Sequence, residues 1–153
     1  MKRIVLASLL VASTAAAQKV PSCPAAKGDP LFVIDHQVRA GLKGPTSKIE
    51  VYDGGAWIRT GADEDGKPVP VQAGCLDKDV LAKIRADIKG APWTVKHNRV
   101  HCMMVTSTFT VYSMNGKEVF REQACNPDAL DDASAKALTD LQAVLVTAKV
   151  PVK

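Results

Sequence analysis

The soft-donor residues of this sequence gather in one place: His97, His101 and Met103 fall at alternate positions of a single stretch. In extended chain that spacing turns all three to one side, and two imidazoles with a thioether suit copper. Arg99 shares that side between the histidines, and its fixed charge opposes a cation. The competing expectation is a polar stretch leading into a sheet, so a copper carrier stands as the alternative reading. Asp63-Glu64-Asp65-Gly66 has the look of a calcium loop, but Gly61 and Gln72 would hold its first and last ligand positions, and neither is a carboxylate. A solvated hairpin tip is expected there. His36 follows Asp35, and neighbours in a strand point to opposite faces, so the pair is no base with its orienter. His36 is expected at the surface or at a strand end. The sequence contains no Gly-x-Ser-x-Gly, no His-Glu-x-x-His and no P-loop. The reading leans away from an enzyme, with no catalytic, cofactor-binding or metal residue assigned and no cofactor expected.

The other reactive residues are four cysteines, Cys23, Cys75, Cys102 and Cys125, with no Cys-x-x-Cys spacing among them. An even number in an exported chain predicts two disulfides, each adding about 3 to 4 kcal/mol in the chain-entropy model. Register gives a weak preference among the pairings. If Asn115-Gly116 is a two-residue hairpin turn, cross-strand partners sum to 231 and Cys125 faces Thr106. Cys102 is then about 13 Å away along the strand at roughly 3.3 Å per residue. A disulfide needs alpha carbons within about 7 Å, so joining Cys102 to Cys125 would require a bulge or an early end to the ladder. Cys75 with Cys125 and Cys23 with Cys102 are therefore preferred.

Export is expected from residues 1–17, where Lys2-Arg3, the apolar run Ile4 to Val11 and the small residues Ala15-Ala16-Ala17 have the layout of a secretory signal. The run is too short for the roughly 20 residues that span a bilayer, so cleavage near Ala17 is expected rather than stable membrane insertion. A secreted or periplasmic location follows. Cleavage would remove two of the 20 basic residues and leave 18 against 16 acidic ones, lowering the formal charge from +4 to +2. With lysines and aspartates interleaved, nothing offers a stripe for a phosphate backbone, and nucleic-acid binding is not expected.

Residues 18–30 read as an extended arm, and 31–153 as a single domain. Leu31 to Ile34 could be a strand or could open a helix through Val38. Lys48 to Asp53, a Gly54-Gly55 turn and Ala56 to Thr60 make a hairpin. After the Asp65-Gly66 turn, Val69 and Val71 alternate with Pro68 and Pro70, so this third strand should lie at a sheet edge or be irregular. Val80, Leu81, Ile84 and Ile88 form a helical stripe, with Asp77 as its cap and Gly90 and Pro92 as its stop. Trp93 should fold over the helix end. Arg99 to Ser113 and Lys117 to Ala124 form a hairpin whose Phe109, Val111 and Phe120 share the core face by the register above. Asp131 caps a second helix with Ala137, Leu138, Leu141 and Leu145 inward.

Val51-Tyr52 through Leu76-Asp77 resembles Val111-Tyr112 through Leu130-Asp131, which hints at a duplicated strand-strand-helix unit. The expected fold is α+β, an antiparallel sheet with two helices on one face, held by disulfides. The expected function is an exported, non-enzymatic binding module with an unknown protein partner, such as an inhibitor of an extracellular hydrolase or an envelope-associated partner. Its hairpin tips, and Trp57, Trp93, Tyr52 and Tyr112, are the candidate contacts.

Overall fold

The computed structural model describes Cys23 and residues 26–97, 107–124 and 126–152. The signal reading over residues 1–17 lies outside the described residues, as do His101, Cys102, Met103 and Cys125. The elements are β1 (Phe32–Val38), β2 (Thr46–Val51), β3 (Ala56–Ala62), β4 (Gln72–Cys75), α1 (Lys78–Gly90), β5 (Val95–His97), β6 (Thr108–Met114), β7 (Lys117–Gln123), β8 (Asp128–Leu130) and α2 (Asp132–Thr147). Six strands form one antiparallel sheet in the order β4-β3-β2-β1-β6-β7, and β5 pairs with β8 beside it. This is the α+β fold the sequence predicts. No helix among the described residues is long and apolar enough to cross a membrane.

Leu31 to Ile34 resolves as strand. β1 runs on to Val38 and becomes the central strand, pairing with β2 on one side and β6 on the other. Cross-strand pairing sorts the helix-facing side into three rows. The first carries Gly74, Trp57, Val51, Phe32 and Met114, and the second Gln72, Arg59, Ile49, Ile34, Tyr112 and Phe120. The third carries Gly61, Ser47, His36, Thr110 and Glu122. Against the first two rows pack Leu81, Ile84 and Ile88 of α1 and Leu138, Leu141, Val144 and Leu145 of α2. Phe32, Ile49, Val51, Ile84, Leu141 and Leu145 are almost wholly buried. Each such side chain contributes about 1.5 to 3 kcal/mol.

The helix ends behave differently. Asp131 caps α2 as expected, accepting from the Ser134 backbone N–H at 2.9 Å. Asp77 holds the cap position of α1 but makes no side-chain cap bond, so only its position was right. Trp93 does fold back: with φ at 51°, its Nε1 donates to the Ile88 carbonyl at 2.7 Å and satisfies one of the last carbonyls of α1.

The β6–β7 hairpin corrects the face assignment. Its first pairs, Met114 with Lys117 and Ser113 with Glu118, sum to 231 as expected, but an irregularity past Ser113 shifts the rest to 232. Phe120 therefore faces Tyr112, with ring centroids 6.2 Å apart on the helix side. Phe109 and Val111 turn to the other face, where Arg121 lies 4.9 Å over the Phe109 ring.

The same hairpin undoes the preferred disulfide pairing. Its ladder ends at Phe109 and Gln123, so both the bulge and the early end are present, and the case against Cys102 with Cys125 lapses. Cys23 is joined instead to Cys75, with alpha carbons 5.6 Å apart, which ties the N-terminal arm to edge strand β4. β4 itself begins only at Gln72, after both prolines, and Pro68 makes a single bridge to Ala62.

The duplication also fails geometrically. β2 and β6 both run antiparallel to β1 and flank it on opposite sides, while both helices cover one face. That arrangement is a reflection, which no rotation of one unit onto the other can produce. Accordingly, Val51 and Tyr112 face the helices, whereas Tyr52 and Val111 face away.

Candidate functional site

The three rows change character along the strands, and that change makes a site. The first row is almost entirely apolar and lies beneath the helices. The third offers Ser47, His36 and Thr110, which give α2 nothing apolar to cover. Between this end of the sheet and α2 a cleft of about 970 Å³ opens. Its floor includes Ile34, His36, Ser47, Thr110 and Tyr112, and α2 contributes Thr139, Gln142, Ala143 and Val146. The β3–β4 connection closes one side with Asp63, Val69 and Pro70, and Val152 borders it near the end of the chain. Such a volume lies in the range of small-molecule sites.

The polar groups of the floor are held in place. The Tyr112 hydroxyl donates to Glu122 at 2.8 Å and accepts from Gln142 Nε2 at 3.0 Å. Burial first, and the bond to Glu122 second, push this phenol far above its ordinary range, so it remains a neutral donor. His36 Nδ1 lies 3.2 Å from Thr110 Oγ1, and Ser47 stands opposite His36 on the neighbouring strand. Arg59 Nη1 donates to Gln72 Oε1 at 3.4 Å. Asp63 is spent locally: its Oδ1 accepts the N–H groups of Asp65 at 3.0 Å and Lys67 at 2.9 Å.

His36 beside two hydroxyls is the nearest approach to a base with a nucleophile. Among the described residues no carboxylate is bonded to its ring, since Asp35 is on the opposite face bonded to Gln37 at 2.6 Å. The backbone N–H groups of β1, beside His36, are taken up by its two ladders. The arrangement offers fixed hydrogen-bonding groups that can bind and orient a ligand.

His36, expected from sequence at the surface or a strand end, is half-buried on the central strand, in the last row that β1 shares with both neighbours, where it floors the cleft. Its parity with Phe32 and Ile34 is the signal that would have placed it, once β1 is known to continue past Ile34. Arg59 and Gln142 carried no motif at all. His97 lies on β5 with its Nδ1 2.5 Å from Asp128 Oδ1 across the β5–β8 pair. Among the described residues no three His, Cys, Asp or Glu side chains gather as a metal site.

All three hairpin tips carry exposed residues, and two are also tethered: Arg85 of α1 holds Asp53 beside Gly54-Gly55 at 2.9 Å, and the Asn115 N–H donates to the Leu31 carbonyl at 3.1 Å. The third, Asp63 to Gly66, stands at the cleft rim. Trp57 and Trp93 pack against the core, Tyr112 is part of it, and Tyr52 donates to Glu50 at 3.3 Å on the outer face. That outer face is mixed, with Lys48 paired to Glu50 at 2.6 Å. No family model, curated protein or solved structure matches the chain, so the reading of this site rests on its geometry.

Proposed function

We propose that this chain is an exported, non-enzymatic binding module that takes its ligand in the cleft between the third row of the sheet and α2. The cleft itself carries the reading: it combines a concave, partly apolar wall with a few fixed hydrogen-bonding groups, the usual composition of a binding site. The Cys23–Cys75 disulfide supports an oxidising compartment.

Ala143 is exposed on α2 and lines the cleft, so Ala143→Trp fills it without disturbing the core. The wild type should take up the neutral dye Nile red with enhanced fluorescence, and Ala143→Trp should lose most of that signal. Equal uptake by both proteins, or none by the wild type, removes the reading.

The second reading, a copper carrier using His97, His101 and Met103, is favoured by one observation. A carboxylate on the second ring nitrogen, as Asp128 supplies to His97, is how ligating histidines are commonly oriented. Saturating copper would then raise the melting temperature by mass action, and an unchanged melting temperature eliminates it.

A further inference from the structure

The lining of the cleft specifies a class of ligand, an inference that rests on the binding reading above. Its guanidinium and its carboxylate are both committed within the protein. Arg59 is engaged by Gln72 at 3.4 Å and by a further interaction, and Asp63 accepts the backbone N–H groups of its own loop. A charged head group of either sign would give up its water here without gaining a dedicated counter-ion, which is costly. What the floor offers instead is a row of hydrogen-bonding side chains, Ser47, His36 and Thr110, side by side on β2, β1 and β6. Cross-strand neighbours stand about 5 Å apart. The Thr110 hydroxyl is shared with His36 Nδ1 at 3.2 Å, whereas the half-buried Ser47 hydroxyl has no partner among the described residues. A hydroxyl both donates and accepts, so its natural complement is a group that does the same.

The remainder of the wall is largely aliphatic, with Val69, Val146 and Val152 on it. Val146 is 57% exposed there, and Val71, between the lining residues Pro70 and Gln72, is 66% exposed. Aliphatic side chains left open beside a cleft suit a hydrocarbon chain. A polyhydroxylated ring would leave hydroxyls unpaired against the same wall.

We propose that the cleft binds an uncharged aliphatic ligand with a hydroxyl head group, the hydroxyl on Ser47 in the third row and the hydrocarbon chain along Val69, Val146 and Val152.

The test is displacement of Nile red from the wild type, near neutral pH, by decanol, 1-methoxydecane, decanoate and decylamine, repeated with Ser47→Ala and Ser47→Thr. Decanol should compete about threefold to tenfold better than 1-methoxydecane, which accepts but cannot donate, the worth of one neutral hydrogen bond. Decanoate and decylamine should both compete worse than decanol. Ser47→Ala should erase most of the preference for decanol over its methyl ether while still taking up Nile red, which also shows that the variant is folded. Ser47→Thr keeps the hydroxyl and should keep the preference. Equal competition by decanol and 1-methoxydecane, or stronger competition by either charged amphiphile, overturns the head-group class in the wild type alone. A preference that survives Ser47→Ala overturns its placement on Ser47. Either result leaves the cleft reading standing, whereas failure of the wild type to take up Nile red removes both.

Discussion

Gln142 on α2 donates to the hydroxyl of Tyr112 on β6 at 3.0 Å, and this bond fixes the helix to the sheet at the edge of the cleft. Beneath it the two layers are held by non-directional apolar packing. At this point a single geometry is specified. Because the phenol donates its own hydrogen bond to Glu122 at 2.8 Å, strand β7 is drawn into the same network.

Tyr112→Phe removes the acceptor for Gln142 and the donor to Glu122 while keeping the ring against Phe120. A loss of about 1.5 to 3 kcal/mol is expected by denaturant unfolding, the range for bonds to a charged partner. Gln142→Ala should cost less, and the double variant less than the sum, because both substitutions break one shared bond. Strict additivity would show that the Gln142–Tyr112 bond carries no coupling.

A second polar device joins α2 to the chain leaving α1. Ser134 is fully buried; its hydroxyl donates to Asp131 at 3.2 Å and accepts the Thr94 N–H at 3.2 Å. Ser134→Ala leaves that N–H unpartnered and should cost about 1 to 3 kcal/mol. The Asp131 carboxyl is held below its ordinary 3.8, chiefly by the Ser134 backbone N–H. A depressed carboxylate stabilises the folded state fully above its unfolded pKa, and the contribution disappears as pH falls through the folded value. Melting temperature should therefore fall below about pH 4, and Asp131→Asn should melt lower near neutrality with a shallower acid slope. An acid slope unchanged by the substitution would remove Asp131 from this role.

How far these features could be read from sequence depends on the distance over which each is specified. The second helix with its Asp131 cap, the turn at Asn115-Gly116 and the irregular stretch through Pro68 and Pro70 are local, and side-chain sterics and hydrogen bonding decide them within a few residues. Phe109 and Val111 were placed on the wrong face because one irregularity in β7 moves Phe120 from opposite Val111 to opposite Tyr112, and no residue type announces it. His36 was missed for a related reason. Its role depends on β1 being central, a property of which strands pair across the chain. The site is less legible still, since Arg59, Thr110 and Gln142 come from three elements and meet only once the sheet order is set.

The disulfide is the feature whose pairing sequence could not decide, and it has the clearest consequence. Cys23 and Cys75 are separated by 52 positions, so closing that loop should contribute about 4 kcal/mol in the chain-entropy model. The bond also lies where the sheet is most vulnerable. β4 is only four residues long and has no strand partner on its outer side among the described residues, and at Gly74 within it a Cβ would sit 2.7 Å from the Trp57 ring. Short, and carrying a glycine that adds no packing of its own, β4 depends on its attachments. Replacing both cysteines by serine should lower stability by about 2 to 5 kcal/mol. Limited proteolysis should cut residues 63–74 sooner in that variant than in the wild type, while cleavage within β6 stays unchanged. Peptide mapping under non-reducing conditions should recover Cys23 linked to Cys75. Recovery of Cys23 linked to Cys102 or Cys125 would overturn both the pairing and this account of how the β4 edge is held.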